Sequence, residues 1–225
     1  ERIAPIGGFI QIEPRPGDAA TEKTEMWILF DGDNLYLAAR MWDSDPERIV
    51  ATELRRDNTA IFQGNDLVGF SFDTFHDKRN SFTFITTPAG ARMEGQVTNE
   101  RQWNGDWNPV WDVRVGRFDG GWTMEARVPF KSLRYRPGTD QPWGFQGMRV
   151  KRSKGEVSFL TRVPPGRGQQ AFQQMSLAAT LVGLEPPVTG RPLDLKPYVT
   201  SSLASDRRAR PSVSNDPDAN VGFDA

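Results

Sequence analysis

The sequence predicts an all-β protein: a two-sheet antiparallel β-sandwich of jelly-roll or immunoglobulin-like type, with about nine strands and a C-terminal extension. Three observations lead there. Apolar residues alternate with a period of two, Val68, Phe70 and Phe72 before a charged turn and Phe82 and Phe84 after it. This is the pattern of antiparallel strands that bury one face. Gly (21 residues) and Pro (17) punctuate the chain at short intervals, as many tight turns require. No segment sustains a 3.6-residue apolar period, so no long helix is expected.

The elements follow in order. Glu25 to Phe30 and Leu35 to Asp43 form a first hairpin, joined by Asp31-Gly32-Asp33-Asn34, residue types that tolerate the positive φ of tight turns. Asp45 and Pro46 suit the cap and first position of a short helical turn. The central hairpin runs from Asn65 to Gly95, with His76-Asp77-Lys78-Arg79-Asn80 as its solvated tip. Gly95 to Pro109 reads as a polar loop carrying tryptophans, after which Trp111, Val113 and Val115 alternate again. In Gly121 to Phe130, Trp122, Met124, Ala126, Val128 and Phe130 share one face and Thr123, Glu125 and Arg127 the other. Pro129 is acceptable at a strand end. Trp143 to Arg149 and Glu156 to Val163 pair around Ser153-Lys154-Gly155, and Met175 to Leu184 supplies a last strand.

Composition changes after Glu185-Pro186-Pro187. Residues 1–187 therefore form the sandwich, and 188–225 a linker, one alternating segment (Leu193 to Val199) and a polar tail. A lone strand leaves unpaired backbone edges, so the chain reads as part of a longer protein. Glu1 to Pro5 shows neither an initiator Met nor a signal-peptide core, as in a processed or trimmed chain.

Whole classes of function lack support. The formal net charge of −1 creates no field toward nucleic acid, and the basic run Arg149, Lys151, Arg152 and Lys154 reads as a solvated hairpin. The absence of cysteine removes disulfides, thiol nucleophiles and thiolate metal sites. No apolar run approaches the roughly 18 residues of a membrane helix. There is no G-x-S-x-G, no H-E-x-x-H and no glycine-rich phosphate loop. His76, the one histidine, sits in a charged turn, so no catalytic residue is assigned.

The best ligand candidate is the loop Arg101 to Pro109. The Trp103 and Trp107 indoles can stack on sugar C–H faces, while Asn104 and Asp106 can hydrogen-bond hydroxyls. The competing expectation is that one of these rings plugs the end of the sandwich. Trp111, Trp122 and Trp143 fall in register with the core; Trp27 and Trp42 sit on faces opposite their strongest apolar neighbours, with a core place the leading expectation for both and a groove edge the alternative for one. Asp31 with Asp33, and Asp43 with Asp45, are turn and capping residues that could also serve calcium, which needs several oxygen ligands. No other cofactor is expected.

The ordered series TEMWILFDGDNLYLAARMWDSDPERI, NDLVGFSFDTFHDKRN, PAGARMEG, GWTMEARVPFKSLRY, WGFQGMRV and LDLKPYV resembles the carbohydrate-binding family 9-like domain over roughly residues 9 to 200. More narrowly, it is similar to the version that precedes a predicted outer-membrane β-barrel in Gram-negative bacteria. The resemblance implies a β-sandwich, export to the periplasm or outer membrane, glycan binding, and a barrel beginning near Leu193. Sugar-binding members hold a terminal sugar between two loop tryptophans, helped by an acidic residue in a D-x-V-E strand motif. The corresponding positions here are Phe62, Phe172 and, in Asp66-Leu67-Val68-Gly69, a glycine; Arg92 offers further donors. The resemblance also raises the calcium expectation. Three functions stay open at this point: a non-catalytic glycan-binding or sensing module, a structural domain that docks on or gates its barrel, and part of a glycoside hydrolase.

Overall fold

The structure is a computed structural model that describes residues 3–136, 138, 140–188, 196–206 and 213–224. The chain divides into two units, Glu1–Val188 and Thr189–Ala225.

The first unit is a sandwich of two antiparallel sheets. The smaller contains β2 (Thr24–Phe30), β3 (Asn34–Trp42), β8 (Asp112–Phe118) and β9 (Gly121–Pro129), in the order β2-β3-β9-β8. The larger contains β1 (Ile10–Glu13), β4 (Leu67–Asp73), β5 (Ser81–Thr86), β6 (Arg92–Thr98), β7 (Gln102–Asn104), β10 (Trp143–Lys151) and β11 (Glu156–Phe159), in the order β1-β11-β10-β4-β5-β6-β7. A short β12 (Ala179–Leu181) adds to one end of β10.

Alternation works as expected in the small sheet. Register pairs Met26 with Ala39, Leu37 with Ala126 and Met41 with Trp122, so their side chains share the inner face. Opposite them lie Val68, Phe70, Phe72, Phe84 and Phe145 of the large sheet, all fully buried. Each such side chain contributes about 1.5–3 kcal/mol of hydrophobic stabilisation. Tilted and edge-on ring pairs, such as Phe72 with Phe145 at 5.2 Å, order the centre of this core.

Four expectations need correction. The strands number more than nine among the described residues, because β1, β7 and β12 are three or four residues long and leave no periodic signal. Strand β4 is buried at every position rather than half-buried. A second layer covers the outer face of the large sheet, where Leu67, Ile85, Met148 and Val150 pack with Ile61, Ala171 and Phe172. Met175 to Leu184 is mostly not a strand: Gly168–Gln173 and Met175–Leu177 are 3-10 turns that form this covering layer, and only Ala179–Leu181 pairs. Gly95 to Pro109 is not simply a loop either. It completes β6 and returns as β7 through a turn in which Asn99 and Glu100 adopt positive φ.

Asp45 precedes the 3-10 turn Pro46–Arg48 as expected, but its side chain makes no capping hydrogen bond. The basic run also differs from expectation. Arg149 and Lys151 lie inside, 3% and 1% exposed, and tie the large sheet to the small one. Arg149 donates to the carbonyls of Lys23 (3.0 Å) and Trp42 (2.6 Å). Lys151 Nζ lies 2.6 Å from Asp43 and 3.3 Å from Asp66. Long cationic side chains are buried only when paired, and a sequence read one segment at a time does not reveal such partners.

The second unit is a hairpin of β13 (Lys196–Asp206) and β14 (Val213–Asp224). Leu193, Asp194 and Leu195 of the predicted segment lie outside the described residues. Register places Val199 opposite Val221, Ser201 opposite Ala219 and Leu203 opposite Pro217 on one face. Thr200 opposite Asn220 and Ser202 opposite Asp218 form the other face.

Candidate functional site

A concavity of about 610 Å³ lies on the outer face of the large sheet. Its floor is one cross-strand row: Met148 of β10, Gly69 of β4, Ile85 of β5 and Met93 of β6. Two aromatic rings stand on glycines. A Cβ on Gly69 would come within 3.0 Å of the Phe172 ring, and a Cβ on Gly95 within 2.4 Å of the Trp103 indole. Each ring thus occupies the volume that any other residue would fill. Gly69 and Gly95 lie on strands separated by β5 and two residues apart in register, so the two seats are roughly 12 Å apart.

Loops bring the remaining walls. The single-turn helix Ile61–Gly64 (α1) carries Phe62 to the rim. The segment before it is held by Asn65, whose Oδ1 accepts from the backbone N–H of Thr52 and Glu53, and by Glu53. Glu53 accepts from Arg55 Nε at 3.0 Å, from the backbone N–H of Leu54 and Arg55, and from Asn58. The Arg55 hydrogen bond is the largest reason that the Glu53 carboxyl is pushed down to about 2. A depressed folded value means that Glu53 stabilises the loop above its unfolded value near 4.3 and loses that contribution as pH falls toward 2. The melting-temperature difference between wild type and Glu53→Gln should therefore be constant above about pH 5.5 and shrink steadily as pH falls toward 2. A difference undiminished between pH 5.5 and pH 2 would contradict this assignment.

The turn Gly168–Gln173 supplies the opposite wall, with Phe172 buried and stacked on Phe159 at 6.1 Å. It brings Gln169, Gln170 and Gln173 to the pocket, and Arg167, Glu13 and Thr59 complete the polar rim. Gln169 Oε1 is buried without a hydrogen-bond partner. Among the described residues, the Trp103 indole N–H likewise has no protein acceptor. The cavity therefore combines aromatic walls, an apolar floor and unspent polar groups, the usual make-up of a small-molecule site.

Of the candidates read from the sequence, Trp103, Phe62 and Phe172 converge here. The others do not. Trp107 packs on Phe82 at 4.9 Å and on Phe84 at 5.7 Å and closes the end of the inner core. Asn104 and Asp106 are exposed, and Asn104 Oδ1 accepts from the Asp106 backbone N–H in a local turn. Arg92 lies against Trp111, donating to its carbonyl at 2.7 Å with its guanidinium over the indole. Trp107→Ala should consequently cost about 2–4 kcal/mol in urea denaturation and leave any ligand affinity of the pocket unchanged. A loss of affinity without a loss of stability would reverse the roles given to the two rings.

Asp31 accepts from the N–H groups of Asp33 and Asn34 and from Tyr36 Oη, while Asp43 is matched by Lys151. Among the described residues, no group of three or more His, Asp or Glu side chains is disposed to hold a metal. Trp27 and Trp42 flank Arg40 on the outer face of the small sheet. Trp42 also donates to Glu25 at 2.7 Å. Trp111, Trp122 and Trp143 are buried, and Trp111 donates to Glu94 at 2.8 Å. Burial pushes the Glu94 carboxyl up, although Arg56 and Trp111 both hydrogen-bond it.

Sequence reasoning missed Met93, Met148, Ile85 and the glutamines of the 3-10 turn. The signal for the floor was two glycines, Gly69 and Gly95, inside strand patterns, since such glycines mark close approach.

No family model matches the sequence, and no curated protein matches it. Solved structures do resemble the fold. A carbohydrate-binding module of family 9 from Caldicellulosiruptor kristjanssonii, in complex with cellotriose, superposes with a TM-score of 0.53. The two are 14% identical, over 84% of this chain and 86% of that one. The same module in complex with glucose gives 0.54 at 14% identity, over 83% and 87%. A candidate carbohydrate-binding protein from Bacteroides uniformis gives 0.57 at 9% identity, over 72% and 79%. The chain therefore has the fold of family 9 modules, an antiparallel β-sandwich.

Proposed function

We propose that this sandwich is a non-catalytic carbohydrate-binding module whose ligand lies in the pocket between Trp103, Phe62 and Phe172. The observation that carries the proposal is convergence. Three aromatic residues from separate parts of the chain meet at one cavity, with unpaired hydrogen-bonding groups beside them. Stacking of C–H faces on rings and capture of hydroxyls by amides is how proteins hold sugars without chemistry. The sugar complexes of structurally similar modules support the same reading. Hydrolysis is not favoured, because glycosidases use paired carboxylates and Glu13 is the one carboxylate among the described residues lining the cavity.

Isothermal titration against mono- and oligosaccharides, glucose and cellotriose included, tests this. At least one sugar should bind, and Trp103→Ala should weaken it tenfold or more, about 1.4 kcal/mol, at unchanged fold. No heat across the panel would refute the proposal.

The second unit supports a wider context: a larger cell-envelope protein in which β13 and β14 begin an outer-membrane β-barrel. Its strands are 11 and 12 residues long, against roughly 9–11 needed to cross a bilayer. Val199, Leu203 and Val221 are 68–73% exposed on one face, and the other face is polar, as barrel strands require. In that context the sandwich would present glycan beside the barrel, or dock on and gate it. Fractionation of the full-length natural protein should place it in the outer membrane; recovery as a soluble protein would overturn this context.

A further inference from the structure

The polarity of the pocket is divided, and the division bears on which sugars it takes. The floor row of Met148, Ile85 and Met93, with Phe172 over Gly69, offers no hydrogen-bonding side chain. Gly69 has no side chain, and Glu94, between Met93 of the floor and Gly95 beneath the Trp103 ring, faces the other side of the sheet toward Arg56 and Trp111. Polar groups come instead from the walls and rim: Gln169, Gln170, Gln173, Arg167, Glu13 and Thr59.

A ring hydroxyl pressed onto this floor would lose its water and find no partner, which penalises binding. A methyl group in the same place would bury apolar surface against two methionines, side chains that adapt to irregular shapes. We infer that the pocket selects saccharides bearing a methyl-terminated substituent, either a 6-deoxy methyl or an acetamido group, over their hydroxylated counterparts. This rests on the carbohydrate-binding reading of the same site.

Titration of matched pairs tests the inference: N-acetylglucosamine against glucose, L-fucose against L-galactose, and L-rhamnose against L-mannose. In at least one pair the methyl-bearing sugar should bind about tenfold tighter, the usual scale of discrimination by an apolar pocket. The first pair isolates the acetamido source and the other two the deoxy source. Met93→Gln should reduce that preference; Met148→Gln provides a second variant should the first fail to fold. Equal or tighter binding of the hydroxylated partner in every pair would overturn the inference and leave carbohydrate binding standing. Absence of binding by all six sugars and by cellotriose would overturn both.

Discussion

Replacing Lys151 by methionine is expected to lower the unfolding free energy by about 3–5 kcal/mol, the usual cost of removing one partner from a buried ion pair. The methionine keeps the apolar stem and loses only the ammonium group. That group lies 2.6 Å from Asp43 Oδ2 and 3.3 Å from Asp66 Oδ2, and it donates to the Arg48 carbonyl at 3.4 Å. The Lys151 side chain is 2% exposed, and those of Asp43 and Asp66 are 0% and 2% exposed. Asp66 would retain the Arg152 backbone N–H and Asp43 that of Asp45, yet two carboxylates would share a buried corner with only the Arg149 guanidinium left as a countercharge. Asp43→Asn in the same background should recover part of the loss, which a double-mutant cycle in urea would register as coupling. A loss under about 1 kcal/mol for Lys151→Met would mean that water reaches this corner and that the two sheets are not tied here.

That cluster also shows how far the sequence could be read. The centre of the small sheet was legible because β3 and β9 each have one dry face: Trp122, Met124, Ala126 and Val128 point inward and are buried. The large sheet defeats the same rule. Leu67, Gly69 and Ser71 are as buried as Val68, Phe70 and Phe72, because the turns of residues 168–177 cover the second face. A period-two pattern cannot distinguish one covered face from two. The same limit explains Lys151 and Arg149, whose partners come from β3, β2 and the segment before β4. Trp103 and Trp107 lie four residues apart in one polar stretch, and their separate fates depend on the short pairing of β7 with β6. That pairing sets Trp103 opposite Val97 on the outer face, whereas Trp107 passes beyond the strand to reach Phe82. The family resemblance pointed to Phe62 and Phe172 by position alone, and the loop composition pointed to Trp103 and Trp107 alike; only the fold separated the pocket ring from the core ring.

Gly95→Ala is expected to reduce saccharide affinity by at least tenfold while costing about 1–3 kcal/mol of stability, the range for one methyl forced into a packed place. The new Cβ would fall 2.4–2.7 Å from three atoms of the Trp103 indole, closer than any carbon contact allows, so the ring must leave its seat. Trp103 is only half-buried and can swing outward, so the change should be spent mainly on the shape of the pocket. Gly69→Ala provides the contrast. There the added carbon meets Phe172 at 3.0 Å, and that ring is 3% exposed and stacked on Phe159, with little room to retreat. Its penalty should appear chiefly as lost stability. Indole N–H resonances, with Trp103 identified by its loss in Trp103→Phe, would report ring displacement independently of any ligand. A Trp103 resonance that stays in place in Gly95→Ala, with affinity unchanged, would show that this glycine is not what seats the ring and would remove the structural basis assigned to the pocket wall.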